Sequence, residues 1–224
     1  MPDFDLSTNE LRGLNAALHN LTPDSDESHW RIRNARGQHA VAVGVDAPLF
    51  IEVDGNVGYY CAGMNKLATI TINGSAGVGV AENMMSGKVH IKGDASQSAG
   101  ATGHGGLLVI DGSAAARCGI SMKGIDIVVK GNVGHMSAFM AQAGTLVVLG
   151  DAGEALGDSI YEAQLFVRGS VRSLGADCVE KEMRPEHLEK LKALLDLAGI
   201  ADVAPSEFRR YGSARQLYNF SVDN

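Results

Sequence analysis

The sequence predicts an all-β fold, a β-helix (solenoid) of about seven 19-residue coils with a short helical cap at each terminus. Two aliphatic residues, four and two positions before each of seven glycines, support this prediction, as does the lack of any helical pattern between the repeats. The glycines recur every 19 residues without an insertion, at Gly55, Gly74, Gly93, Gly112, Gly131, Gly150 and Gly169.

Each repeat starts with a strand and continues with a corner. Ile51 and Val53 alternate with other residues before Gly55, and this period of two predicts a strand with one buried face. A polar turn-former and a small apolar residue follow, Asn56 and Val57 in the first repeat, and such polar side chains bond to the local backbone. The residue seven positions after the glycine is always small, which fits a narrow interior of stacked positions. One repeat therefore predicts a strand, a corner and a second short strand.

A helical cap is predicted at the N-terminus, where a solenoid would otherwise expose an unpaired strand edge. Leucines recur at helical spacing within residues 7–21, and Ser7 with Glu10 fits a capping box. The segment that follows predicts a strand and a turn leading into the first coil, with Trp30 as an anchor.

A second helix is predicted after the last coil, with Pro185 near its start and Gly199 as its stop. The tail beyond it is rich in arginine and aromatic residues, and it either lies back on the solenoid or docks onto another subunit. Its candidate interface residues are Arg209, Arg210 and Tyr211. The predicted division of the chain is an N-terminal helix and lead-in cap at 1–38, a β-helix domain at 39–179, and a C-terminal helix and tail at 180–224.

An apolar strip is predicted on the outside of the later coils. The position three residues before the repeat glycine is apolar in four successive repeats, at Val109, Val128, Val147 and Phe166. A protein does not leave such a strip open to water. Either a terminal helix or a partner protein covers it, so these residues are candidate interface residues.

Composition limits the kinds of partner and compartment. The formal charge is −7 without a basic stripe, which argues against nucleic acid and anionic membranes as partners. The N-terminus does not resemble a signal peptide, and no apolar run is long enough to cross a membrane.

Three cysteines without an oxidising context predict free thiols in a cytoplasmic protein. Cys61 and Cys118 fall in one column three coils apart, ~14 Å, which is too far for a disulfide.

No pattern for chemistry emerges from the sequence. His90, His104 and His135 fall in different columns, so they do not have the spacing of metal ligands. The GHGG at 103–106 lacks the nucleophile elbow that accompanies an oxyanion loop. The sequence therefore predicts no catalytic, cofactor-binding or metal-binding residue in this chain.

The glycine spacing resembles a known family. The pattern G-xx-G-xxx-G is complete at Gly150, Gly153 and Gly157. The fourth and seventh repeats depart from this pattern, with Ala115 and Arg172 in place of the second glycine. This spacing resembles the C-terminal GXGXG β-helix domain of the glutamate synthase large subunit. The segments GYYCAGMN, GVAENMMSG, RCGISMKG and GHMSAFM are more similar to free-standing members of this family, such as the β-helix chain of N-methylglutamate synthase (methylamine–glutamate N-methyltransferase).

The resemblance implies a right-handed β-helix that serves as a non-catalytic scaffold in a cytoplasmic hetero-oligomeric enzyme. Its expected partners are an amidotransferase-like subunit and an FMN-binding glutamate-synthase-like subunit, with FMN and an iron–sulfur cluster in the partner. A glutamate-synthase-like complex with another substrate is the alternative.

Two stand-alone enzyme classes are more distant alternatives. Solenoid acyltransferases have hexapeptide repeats, and 19 is not a multiple of six. Polysaccharide-processing β-helices are secreted and line a groove with charged and aromatic residues, whereas aromatic residues are only 5% of this chain.

Overall fold

The computed structural model describes residues 1–216 and shows a right-handed β-solenoid of about seven turns, which confirms the predicted fold class. One 11-stranded sheet runs along it in the order β1 to β9, then β11 and β10. The strands are β1 Asp3–Asp5, β2 His29–Arg33, β3 Phe50–Asp54, β4 Thr69–Asn73, β5 Lys88–Ile91, β6 Leu107–Ile110, β7 Lys123–Val129, β8 Ala143–Val148, β9 Gln164–Val167, β10 Cys178–Lys181 and β11 Arg209–Ser213. The helices are α1 Leu11–His19, α2 Pro185–Leu197 and a short 3-10 helix at Pro205–Glu207.

The parallel strands β3 to β9 stack in the register that the repeat predicts. Ile51 pairs with Ile70, and Ile70 with Val89, each 19 residues further along the chain. The alternating aliphatic side chains of these strands fill the interior of the solenoid. The predicted second strand is reduced to isolated bridges between coils, such as that between Val57 and Ala76.

A ladder of hydrogen bonds joins the corners of successive coils. The Asn56 side-chain oxygen accepts the backbone N–H of Ser75 at 2.9 Å, and the Ser75 hydroxyl accepts that of Asp94 at 3.1 Å. The ladder continues to Asp151, which accepts the N–H of Ser170 at 2.7 Å. The polar corner residues therefore bond to the backbone of the next coil rather than to their own turn.

Close stacking of the corners explains the repeat glycine. A Cβ added at Gly74 would lie 2.6 Å from the carbonyl carbon and oxygen of Gly55 in the preceding coil. Since both of these are backbone atoms, they cannot rotate away as a side chain can. A larger residue at Gly74 therefore forces the two neighbouring coils apart.

The N-terminal cap agrees with the prediction in one respect and differs in another. The predicted strand before the first coil is present as β2, where Trp30 is buried and pairs with Ile51 of β3. The capping box of Ser7 and Glu10 is wrong. The backbone N–H and hydroxyl of Ser7 instead donate to Asp5 Oδ1 at 2.8 and 2.6 Å, and α1 begins after Glu10 without a side-chain cap.

The C-terminal helix begins and ends where the sequence predicts, and Gly199 has a φ of +73° beyond its end. The chain then returns to the solenoid as β11, which inserts between β9 and β10 and pairs antiparallel with both. The tail as far as residue 216 therefore lies back on the solenoid. The end of the predicted tail, residues 217–224, is outside the described residues.

Candidate interaction surface

The predicted apolar strip is covered by the chain itself. The four strip side chains are fully buried in a second core, between the outer face of the sheet and the C-terminal segment. The prediction that they are an interface with a partner is therefore wrong, because α2 and the segment after it remove this apolar surface from water. The residues that pack on the strip are Leu191, Leu194, Leu195, Ala198, Ile200, Val203 and Phe208.

Helix α2 ends beside the coil in which the position three residues before the repeat glycine changes from apolar to polar. In the earlier coils this column contains Glu52, Thr71 and His90 rather than aliphatic residues. Lys88 Nζ donates a hydrogen bond to the carbonyl oxygen of Leu197 at 2.9 Å. This bond provides a partner for one of the carbonyls that the end of the helix leaves free. The sheet face of the first coils is therefore left uncovered by α2.

The three predicted interface residues of the tail have different environments. Tyr211 is buried, and the Arg209 guanidinium lies 5.9 Å from its ring centroid and donates to the Gly169 carbonyl at 3.0 Å. Burial of the Tyr211 phenol raises its pKa. Arg210 is partly exposed at the rim of a pocket. Tyr211 thus contributes to packing, and a contact of the arginines with a partner stays a prediction.

Five exposed apolar side chains lie on the connecting segments of the β3 and β4 coils. Tyr59 is 54% exposed and Val78, in the same column of the next coil, is 45% exposed. Met64, Leu67 and Met85 are exposed on the same two coils. We call these five residues the apolar patch.

Backbone hydrogen bonds join the two coils that carry the patch. The Tyr60 N–H donates to the Val78 carbonyl at 2.8 Å, and the Met85 N–H donates to the Asn65 carbonyl at 2.8 Å. The ring of His39 meets Tyr59 edge-on, with 5.3 Å between centroids. The patch therefore rests on a rigid part of the solenoid.

Polar residues replace the patch in the following coil. Gln97 follows Val78 in its column, and His104 follows Met85. The sequence pattern does not single out the patch, because apolar residues occur there in only one or two coils and do not form a column. The paired aromatic residues in GYYCAGMN, in a chain with few aromatics, are the available signal.

The titratable groups of the described chain show no catalytic arrangement. Cys61 and Cys118 are buried free thiols, and burial raises the pKa of each to about 12, which makes them poor nucleophiles at neutral pH. His90 Nε2 lies 3.0 Å from Asp111 Oδ1 in an ion-pair cluster with Lys130. Within residues 1–216, no group of three or more histidine, cysteine or acidic side chains is placed to hold a metal ion. Neither helix in this part of the chain has the length and apolar character needed to span a membrane.

Comparison with known proteins shows a close relative. The chain is 69% identical over all of its 224 residues to Protein GlxC of Rhizobium meliloti (strain 1021), and the alignment covers 98% of that protein. No family model matches the chain. No solved structure matches it either. The identity and the full coverage of both chains show that this protein belongs to the same family as Protein GlxC.

Proposed function

We propose that this chain is a non-catalytic scaffold subunit of an FMN-dependent glutamate-synthase-like complex. The specific complex that we propose is N-methylglutamate synthase, which converts methylamine and glutamate to N-methylglutamate and ammonia. The 19-residue glycine repeat, which resembles the β-helix of glutamate synthase, supports this assignment. The close stacking at Gly74 gives that spacing a physical reason.

The apolar patch is the observation that carries the scaffold role. Exposed methionine and aromatic side chains are typical of protein–protein contacts. Here they lie on coils to which α2 does not extend, and the strands of these coils are fixed by continuous pairing. We therefore place the contact with a partner subunit on the β3 and β4 coils.

The proposed division of labour assigns the chemistry to the partners. An amidotransferase-like subunit and an FMN-binding subunit with an iron–sulfur cluster hold the reacting groups. The solenoid keeps their relative position, which is important because small displacements of reactants reduce rates strongly.

Two matched variants test this proposal. Val78→Asp introduces a charge into the patch, whereas Gln97→Asp introduces the same charge at the same column one coil further on, outside the patch. The tagged full chain is purified from its native cells, and flavin and iron in the purified material are measured. We expect flavin and iron with the wild type and with Gln97→Asp, and at least a tenfold loss with Val78→Asp.

Recovery of the wild-type chain without flavin contradicts the proposal of an FMN-dependent complex. Equal flavin with both variants contradicts the position of the contact. Assay of the purified complex with methylamine and with ammonium distinguishes N-methylglutamate synthase from a related complex with another substrate.

A further inference from the structure

A basic pocket lies at the C-terminal end of the solenoid, on other elements than those that carry the apolar patch. Its cavity has a volume of about 440 Å³, and it is lined by β10, β11, the segment before β9 and the start of α2. The chain has a formal charge of −7, yet this lining is rich in cationic residues. They are Lys181, Arg184, Arg210 and Arg215, with His187 beside them.

Two of these cations face each other across paired strands. Lys181 of β10 lies directly opposite Arg210 of β11 in the antiparallel register, and like charges in such a pair destabilise a sheet. Arg210 Nε donates to the backbone carbonyl of Glu182 at 2.9 Å, which fixes the position of the guanidinium. Among residues 1–216, no carboxylate lies within ion-pair distance of Arg210 or Lys181. Within the described part of the chain, neither cation therefore has an ion-pair partner.

A second guanidinium and an imidazole approach from the start of α2. Burial and the charge of Arg184 lower the pKa of Arg210. Burial and the charge of Arg210 also lower the pKa of His187. The Arg184 N–H donates to His187 Nδ1 at 3.1 Å, so the neutral imidazole carries its proton on Nε2 and is a donor. The side chains of Arg184, His187 and Arg210 thus line the same cavity.

Two acidic side chains at the pocket, one of them in its lining, pair with arginines. Glu162 pairs with Arg215 at 2.9 Å and Glu182 pairs with Arg184 at 3.1 Å, and all four side chains are largely exposed. Exposed pairs of this kind contribute little energy, so an incoming anion can compete for the arginines. Glu186 is the remaining acidic group whose charge acts on Arg210.

One of the residues that line the pocket is a glycine, Gly212. A Cβ added at Gly212 would lie 3.8 Å from the Ala163 carbonyl oxygen and from Lys181 Cγ, which is ordinary contact distance. A small side chain is therefore tolerated there, whereas a branched one extends into the cavity. This position allows the pocket to be filled without any change of charge.

We propose that this pocket binds a small oxyanion, a carboxylate or a phosphate. The guanidinium groups of Arg184 and Arg210 match the paired oxygens of either group, and Lys181 adds a compact charge beside them. The proposal is independent of the proposed scaffold role, since it uses neither the apolar patch nor a partner subunit.

Thermal unfolding of the full chain tests the proposal, with sodium phosphate, sodium succinate and sodium chloride compared at equal ionic strength. We expect a rise in Tm that grows with the concentration of phosphate or succinate and reaches about 3–6 °C at ten times the Kd. The anion with the larger rise identifies the preferred chemistry. Equal rises in all three salts would show only general screening and would overturn the proposal.

Variants locate the binding. Arg210→Gln, Lys181→Gln and Gly212→Val should each remove most of the anion-dependent rise, whatever they do to the Tm without ligand. Arg12→Gln, which removes a charge from the exposed face of α1, should keep the full rise. Retention of the full rise in both Arg210→Gln and Gly212→Val would exclude this pocket as the site.

Discussion

Phe166 distinguishes a strip covered by the chain's own helix from a strip covered by a partner. Its side chain is fully buried between β9 and the C-terminal segment. Replacement of such a phenylalanine by alanine removes buried apolar surface and leaves a cavity, which costs about 3–5 kcal/mol. For a chain of this size each 1 kcal/mol lowers Tm by about 2–4 °C. We therefore expect Phe166→Ala to lower the Tm of the isolated chain by roughly 6–20 °C.

Phe50 provides the matched control for this measurement. It lies on β3 with 51% of its surface exposed, and it stacks on His29 with 4.8 Å between ring centroids. Since surface substitutions have small effects, Phe50→Ala should lower Tm by less than about 4 °C. Differential scanning calorimetry of both variants gives the comparison. Similar small shifts would refute the packing of α2 on the strip and restore a partner as its cover.

Three further predictions concern the glycines, the N-terminal turn and the cysteines. Gly74→Ala should destabilise the fold by about 1–3 kcal/mol through backbone overlap, whereas Gly13→Ala within α1 should stabilise it by about 0.5–1 kcal/mol. Chemical denaturation measures both changes in the free energy of unfolding, and changes of the same sign contradict the close stacking at Gly74. The hydrogen bond from Ser7 lowers the pKa of Asp5 from 3.8 to about 2, so the stabilisation by the Asp5 carboxylate is present above pH 4 and is lost as pH falls toward 2. The Tm difference between wild type and Asp5→Asn should therefore narrow over that range, and a Tm difference that stays constant contradicts the role of the carboxylate. Cys61 and the other two buried cysteines should resist iodoacetamide until the chain is denatured, and mass spectrometry showing modification of the native chain contradicts their burial.

The repeated features of the fold follow directly from the sequence. Ile51, Ile70 and Val89 recur in one column because equivalent positions stack, so each coil supplies the same evidence again. Gly74 obeys the same rule, since its neighbour in the coil below leaves no room for a Cβ. Periodicity therefore predicts both the strands and the corner.

The features that occur only once are harder to predict. The sequence pattern shows that Val128 faces outward, but it does not show that α2 folds back over this residue. Either a helix of the chain or a partner protein can cover such an apolar strip, so the pattern is the same in both cases. At the N-terminus, Ser7 is close enough to Asp5 to bond to it instead of to the helix. In the basic pocket, Lys181 and Arg210 lie opposite each other because β11 inserts between β9 and β10. No local sequence pattern indicates this insertion.

The most direct test of the proposed scaffold role is an activity measurement in cells that lack this chain. Extracts of such cells, supplied with methylamine and glutamate, should form no N-methylglutamate, and addition of the purified wild-type chain should restore its formation. The same addition of Val78→Asp should restore much less than Gln97→Asp, which keeps the apolar patch intact. Undiminished formation of N-methylglutamate in the extract without the chain would contradict the proposed function.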